Sequence, residues 1–151
     1  MIGPLSGSPL IQLGFAVPDM DEALARMGGE WQTAVAKAKY FGEVTFRGQP
    51  AALGHLNALR MDGDVELEVI QPTAGPSVWH EWVEQGRPAL HHLGLKVAEP
   101  LASIPAMEAA GFACVQRGTF FGDGEFAYFD TREALGVYLE ALLYPSSWGR
   151  G

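Results

Sequence analysis

One stretch of this chain occurs twice, and no other sequence feature limits the fold as much. Gln12-Leu13-Gly14-Phe15-Ala16-Val17-Pro18-Asp19 aligns without a gap on His92-Leu93-Gly94-Leu95-Lys96-Val97-Ala98-Glu99, 80 positions later. Leu, Gly and Val are shared, and an acid follows two residues after each Val. A second pair, Val65-Glu66-Leu67-Glu68 and Val137-Tyr138-Leu139-Glu140, is offset by 72, and each copy runs on through apolar residues to a proline, Pro72 or Pro145. A repeat of this length is a whole supersecondary unit, not a turn motif. Each half therefore offers one polar residue at the start of its first strand and one Glu in its last strand: Gln12 with Glu68, and His92 with Glu140.

Local signals fill in each unit. Ile11 to Val17 reads as a strand, and Asp19 caps a helix from Met20 to about Met27, with Glu22 completing a capping-box pattern. Gly28-Gly29 stops that helix. The stretch from Trp31 to Lys39 fits either a short helix or an irregular connection. Phe41 to Phe46, Leu53 to Met61 and Val65 to Gln71 read as strands, the last two joined by a hairpin turn at Asp62-Gly63-Asp64. Ser77 caps a short helix from Val78 to Gln85. The second half repeats the order: strand Leu90 to Val97, helix Pro100 to Ala110 shortened or bent by Pro105, then strands Phe112 to Arg117, Glu125 to Asp130 and Gly136 to Leu143. In the first of these strands, alternation sends His91 and His92 to opposite faces, so only one can enter a given site.

The fold class that follows is α+β. Two tandem βαβββ modules form a cupped, incomplete mixed β-barrel with the helices outside. One domain spans about 10–146, with module 1 at about 10–72, a connecting loop and short helix at 73–89, and module 2 at about 90–145. Residues 1–9 and 147–151 read as tails. A net charge of −8 argues against nucleic acid as the main partner. No apolar run is long enough to span a membrane. The single cysteine, Cys114, sits among Phe112, Ala113 and Val115 and reads as a small buried hydrophobe. It permits no intrachain disulfide, which suits a reducing cytoplasm.

A strand ending in Val-Pro-Asp, a Glu-Leu strand running on to a proline (Glu66-Leu67 to Pro72), a Ser-led helix and Leu90-His91-His92-Leu93-Gly94, in that order, resemble the vicinal oxygen chelate superfamily. The closest likeness is to its glyoxalase I and methylmalonyl-CoA epimerase branch, and it extends from about Ile11 to Pro145. The resemblance implies a divalent metal held by Gln12, Glu68, His92 and Glu140, the four positions that the repeat selects. Amide oxygen, imidazole nitrogen and two carboxylates suit Zn, Ni, Co or Mn. The implied activity is that of a lyase or isomerase that abstracts a proton next to a carbonyl by way of a metal-bound enediolate, with Glu140 as the first choice of base and Glu68 as the second. His55, Asn57 and Lys96 are candidates for binding a small-molecule carbonyl substrate, and the many aromatic residues suggest an apolar or aromatic one.

The likeness has gaps. Glutathione-dependent glyoxalases place an Asn where this chain has Pro72. Epimerases of this kind more often have His as the first ligand and draw a further Glu from the strand before the second ligand; Gly54 to Arg60 holds no acid. A ring-cleaving dioxygenase would want two His and one carboxylate, which Gln12 disfavours, and a non-catalytic binding protein would not need four polar ligands. Edge strands of an open, curled sheet lead to the expectation of a homodimer.

Overall fold

A computed structural model describes residues 1–150. The elements run β1 (Leu10–Ala16), α1 (Met20–Met27), β2 (Gln32–Ala36), β3 (Phe41–Phe46), β4 (Gln49–Pro50), β5 (Gly54–Asp62), β6 (Val65–Ala74) and α2 (Val78–Glu84). The second half continues with β7 (Leu90–Lys96), α3 (Ile104–Ala109), β8 (Cys114–Phe120), β9 (Gly124–Phe129), α4 (Arg132–Leu135) and β10 (Tyr138–Leu143). Ten strands form one mixed sheet in the order β2-β5-β6-β1-β7-β10-β9-β8-β3-β4. It curls into a half-barrel with the helices outside, as the repeat requires.

The start signals act as expected. Asp19 caps α1 by accepting from the Glu22 amide at 3.0 Å. Ser77 caps α2 by accepting from the His80 amide at 3.1 Å. Period-two alternation then sorts the strands. In β10, Leu139 and Ala141 face outward against Ile104 and Met107 of α3. In β6, Val69 packs outward with Met20 of α1. The opposite faces of both strands carry Glu66, Glu68, Tyr138, Glu140 and Leu142. Trp79 and Trp82 of α2 are buried with Tyr128, Tyr138 and Leu142 and close one end of the cup.

The modules join at an antiparallel seam between β1 and β7, where Gln12 lies opposite Gly94 and Gly14 opposite His92. Each module's last strand runs parallel to its first, which places Glu68 beside Gly14 and Glu140 beside Gly94. The glycine shared by the two repeats thus has a steric reason. A Cβ built on Gly14 would lie 1.9 Å from the His92 ring, and one on Gly94 would lie 2.8 Å from the Gln12 Cβ.

Four expectations are corrected. The ambiguous stretch after Trp31 is a strand, β2, pairing with β5, followed by a 3-10 turn at Ala38–Tyr40. β3 does not belong to the first module's sheet; it crosses over and pairs with β8 of the second. Residues 1–9 are not loose, because Leu5 is buried with Met107 and Leu139, and the Lys96 amide donates to Pro9 O at 2.9 Å. Finally, His91 and His92 do not part company. The register between Gly14–Phe15 and His92–Leu90 is shifted by one residue, a β-bulge at His91. It brings the two Nδ1 atoms within 2.9 Å.

Gly14→Ala is expected to lower stability by about 1–3 kcal/mol, because the added methyl overlaps the buried imidazole. Gly7, which has open space around it, serves as the control; Gly7→Ala should change stability by less than about 0.5 kcal/mol. Urea denaturation of the two variants checks the contrast.

Candidate functional site

Gln12, Glu68, His92 and Glu140 meet on the floor of the cup. His92 Nε2 lies 3.0 Å from Gln12 Oε1, 3.3 Å from Glu140 Oε2 and 3.6 Å from Glu68 Oε1. Gln12, His92 and Glu140 are buried. Alternation, with a glycine opposite each long side chain, explains why residues from four strands reach one point.

Glu68 and Glu140 face the same imidazole nitrogen in a water-poor site, and their charges repel each other. Burial, followed by the charges of Glu140 and Glu66, holds the Glu68 carboxyl well above its usual range, while a hydrogen bond from Asn57 opposes the shift. Glu140 Oε2 is buried without a hydrogen-bond partner. Burial, followed by the charges of Glu140 and Glu68, raises Tyr128, so its phenol stays neutral beside the carboxylates. The site is short of positive charge.

The implied metal can be tested against these atoms. Among the described residues, no group of three or more His, Cys, Asp or Glu side chains is already gathered closely enough to hold a metal ion, so the fit rests on the separations of the individual donors. Metal–ligand bonds of about 2.1 Å place neighbouring donors about 3.0 Å apart in an octahedron and about 3.4 Å apart in a tetrahedron. The separations from His92 Nε2 fall at or just beyond these values. With an unpartnered carboxylate oxygen and a nitrogen–oxygen donor set free of thiolate, the residues fit a divalent cation.

The remaining expected residues divide. Asn57 lines the cavity and reaches Glu68. His55 also lines it but is buried against Trp79, with ring centroids 4.7 Å apart, and burial pushes its pKa down to about 4. Lys96 is exposed at the far end of β7 and does not line the cavity. Burial raises the Cys114 thiol to about 11, which fits a packing role. His91 packs edge-on to Trp82, and burial followed by the charge of His92 holds it well below the usual imidazole range.

Sequence reasoning missed Glu66, Tyr144, Trp148 and Arg150. Glu66 was within reach of it, since it lies two residues before Glu68 on the same face. The others come from the chain after β10, which folds back over the cup. Trp148 packs on Phe120, Phe121 and Tyr144, and Arg150 pairs with Glu66. Opposite the acidic floor, Phe41, Trp79, Phe120, Phe121, Phe126 and Trp148 form an aromatic wall.

A cupped sheet built from paired βαβββ modules, with polar donors gathered at its seam, defines the vicinal oxygen chelate class. The sequence profile of the Glyoxalase/Bleomycin resistance protein/Dioxygenase superfamily matches residues 11–129, and the chain belongs to that family. No functionally curated protein matches it. Among solved structures, a hypothetical protein from Bacillus halodurans superposes with TM-score 0.63 at 16% identity over 93% of this chain and 96% of its own. Methylmalonyl-CoA epimerase from Mycobacterium tuberculosis gives TM-score 0.59 at 15% identity, covering 99% of this chain and 97% of that one. The Streptomyces coelicolor epimerase in complex with 2-nitronate-propionyl-CoA gives 0.61 at 14%, covering 89% and 93%. At these identities the likeness is one of fold.

His55 generates a pH prediction. Its folded pKa of about 4 lies below the ordinary imidazole value of 6.5. Between those values the unfolded chain binds a proton that the folded chain does not, so stability is full above the window and falls as pH drops through it. The loss should reach about 3 kcal/mol. His55→Leu should remove that share of the acid sensitivity, read as a smaller difference between urea midpoints at pH 7 and pH 4.

Proposed function

We propose that this protein is a divalent-metal-dependent lyase or isomerase that removes a proton from the carbon next to a carbonyl. The observation that carries this reading is the convergence of one imidazole, one amide oxygen and two carboxylates beneath an aromatic wall. The likeness in fold to methylmalonyl-CoA epimerases supports it. One imidazole among the four donors speaks against a two-His, one-carboxylate iron site.

Gln12, Glu68, His92 and Glu140 would hold the ion, Zn, Ni, Co or Mn, which supplies Lewis-acid polarisation of the substrate carbonyl. The rest falls to the protein. The aromatic wall binds the apolar part of the substrate and excludes water, which strengthens every charge interaction on the floor. Glu140 takes the proton on a carboxylate oxygen, and no hydrogen bond to Oε2 competes for that carboxylate. Asn57 steadies Glu68, the second candidate base. With Nε2 given to the ion, His92 would carry its proton on Nδ1, 2.9 Å from His91 Nδ1, and a hydrogen bond there would fix the ring. Tyr128 stays protonated beside the carboxylates and can donate to a developing negative charge.

The test combines metal analysis of the purified protein with exchange of the substrate α-proton in D2O, followed by NMR with methylmalonyl-CoA as one probe in a panel of carbonyl compounds. Glu140→Gln should keep the metal and slow exchange by about 10²-fold or more, whereas His92→Ala should lose metal and exchange together. A Glu140→Gln protein that exchanges at the wild-type rate would pass the role of base to Glu68. A homodimer is proposed as well, through exposed edges such as β2, where Val35 is 55% exposed. Light scattering at micromolar concentration should return twice the chain mass.

A further inference from the structure

Glu66 lies on the acidic floor, yet its carboxylate is not among the groups gathered around His92 Nε2. Instead, Oε1 accepts from Gln12 Nε2 at 2.9 Å and from the Tyr144 hydroxyl at 2.7 Å, while Oε2 accepts from the Arg150 guanidinium. Glu66 is only 3% exposed. Three donors converge on it, and an ionised carboxylate can only accept. The Gln12 amide therefore has one permitted orientation. Its NH2 end must face Glu66, which leaves its carbonyl oxygen 3.0 Å from His92 Nε2. Turned over, the amide would press its oxygen against a carboxylate and present an NH2 group, which cannot ligate, to the floor.

We infer that Glu66 is a positioning residue that locks the Gln12 amide with its oxygen toward the metal site, and that Tyr144 and Arg150 hold Glu66 in place. This rests on the metal-site reading above. It accounts for a glutamine ligand in this chain: an amide is the one oxygen ligand whose free end can satisfy a neighbouring carboxylate. Glu66 thus acts through Gln12 and does not itself touch substrate.

The test is cobalt(II) titration of the metal-free protein, with affinity from chelator competition and geometry from the visible absorption bands. E66Q is isosteric, but its amide can donate as well as accept, so it no longer dictates the orientation of Gln12. Cobalt affinity should fall about 10-fold or more, with altered bands. Q12E alone sets two carboxylates against each other and should also bind more weakly. The exchange Q12E/E66Q lets the introduced amide donate to the introduced carboxylate, which restores a fixed oxygen toward the metal. Its affinity should return to within about threefold of wild type or exceed it, a rescue that a merely structural role would not produce. Thermal melts of the metal-free variants confirm folding. Wild-type affinity in E66Q, or an exchange variant as weak as E66Q, overturns the inference alone. A wild-type protein that takes up no cobalt overturns the metal reading, and this inference with it.

Discussion

The site depends on steric reciprocity at the β1–β7 seam. Gln12 and His92 each lie opposite a glycine from the other module, and each glycine lies beside the Glu of its own module's last strand. Two backbones thereby open space for two long polar side chains, and the carboxylates arrive from either side. Strand pairing makes this all-or-none: a slip of one residue would turn every one of these side chains to the opposite face. The outward residues resist such a slip, because Leu95, Leu139 and Ala141 under α3 and Val69 under α1 would have to leave their packing.

The electrostatics follow from that geometry. Glu66, Glu68 and Glu140 lie close together, and Arg150 is paired with only one of them. The other two face His92, whose second nitrogen is tied to His91. A protein interior does not hold two like charges without a compensating proton or cation. Burial and the neighbouring carboxylates raise the Glu68 carboxyl, which favours a proton there, and a bound divalent ion would compensate in its place. The aromatic wall matters here too, since it keeps water from screening the repulsion.

Much of this was legible from the chain. The repeats revealed two modules because each copy alternates the same way, and alternation fixes which residues share a face. Glu68 and Glu140 could therefore be placed beside Gln12 and His92 without knowledge of the sheet. Three features escaped for physical reasons. β2, Gln-Thr-Ala-Val-Ala, is exposed along most of its length, so it carries no periodic signal. The bulge at His91 is an irregularity of pairing, which depends on a partner strand 80 positions away. The chain after Pro145 is short, and it is ordered over the cup by Trp148 and Arg150 through partners distant in sequence.

The crossing of β3 bears on how the chain is assembled during synthesis. Phe46 pairs with Gln116 and Phe41 with Phe120, yet β3 leaves the ribosome long before β8 exists. Val44 and Phe46 are buried in a finished core that draws on both halves, and their strand has no β8 edge to pair with while only the first module is made. The first half therefore completes its sheet only once the second exists, although it is a complete copy of the repeat. Loop closure between such distant segments comes late, so the nascent chain passes through a stage in which an apolar hairpin waits for its partner. Separated at the linker before β7, the two halves would be incomplete in unequal ways: the first would carry a strand with no sheet edge to join, and the second a sheet edge with no strand.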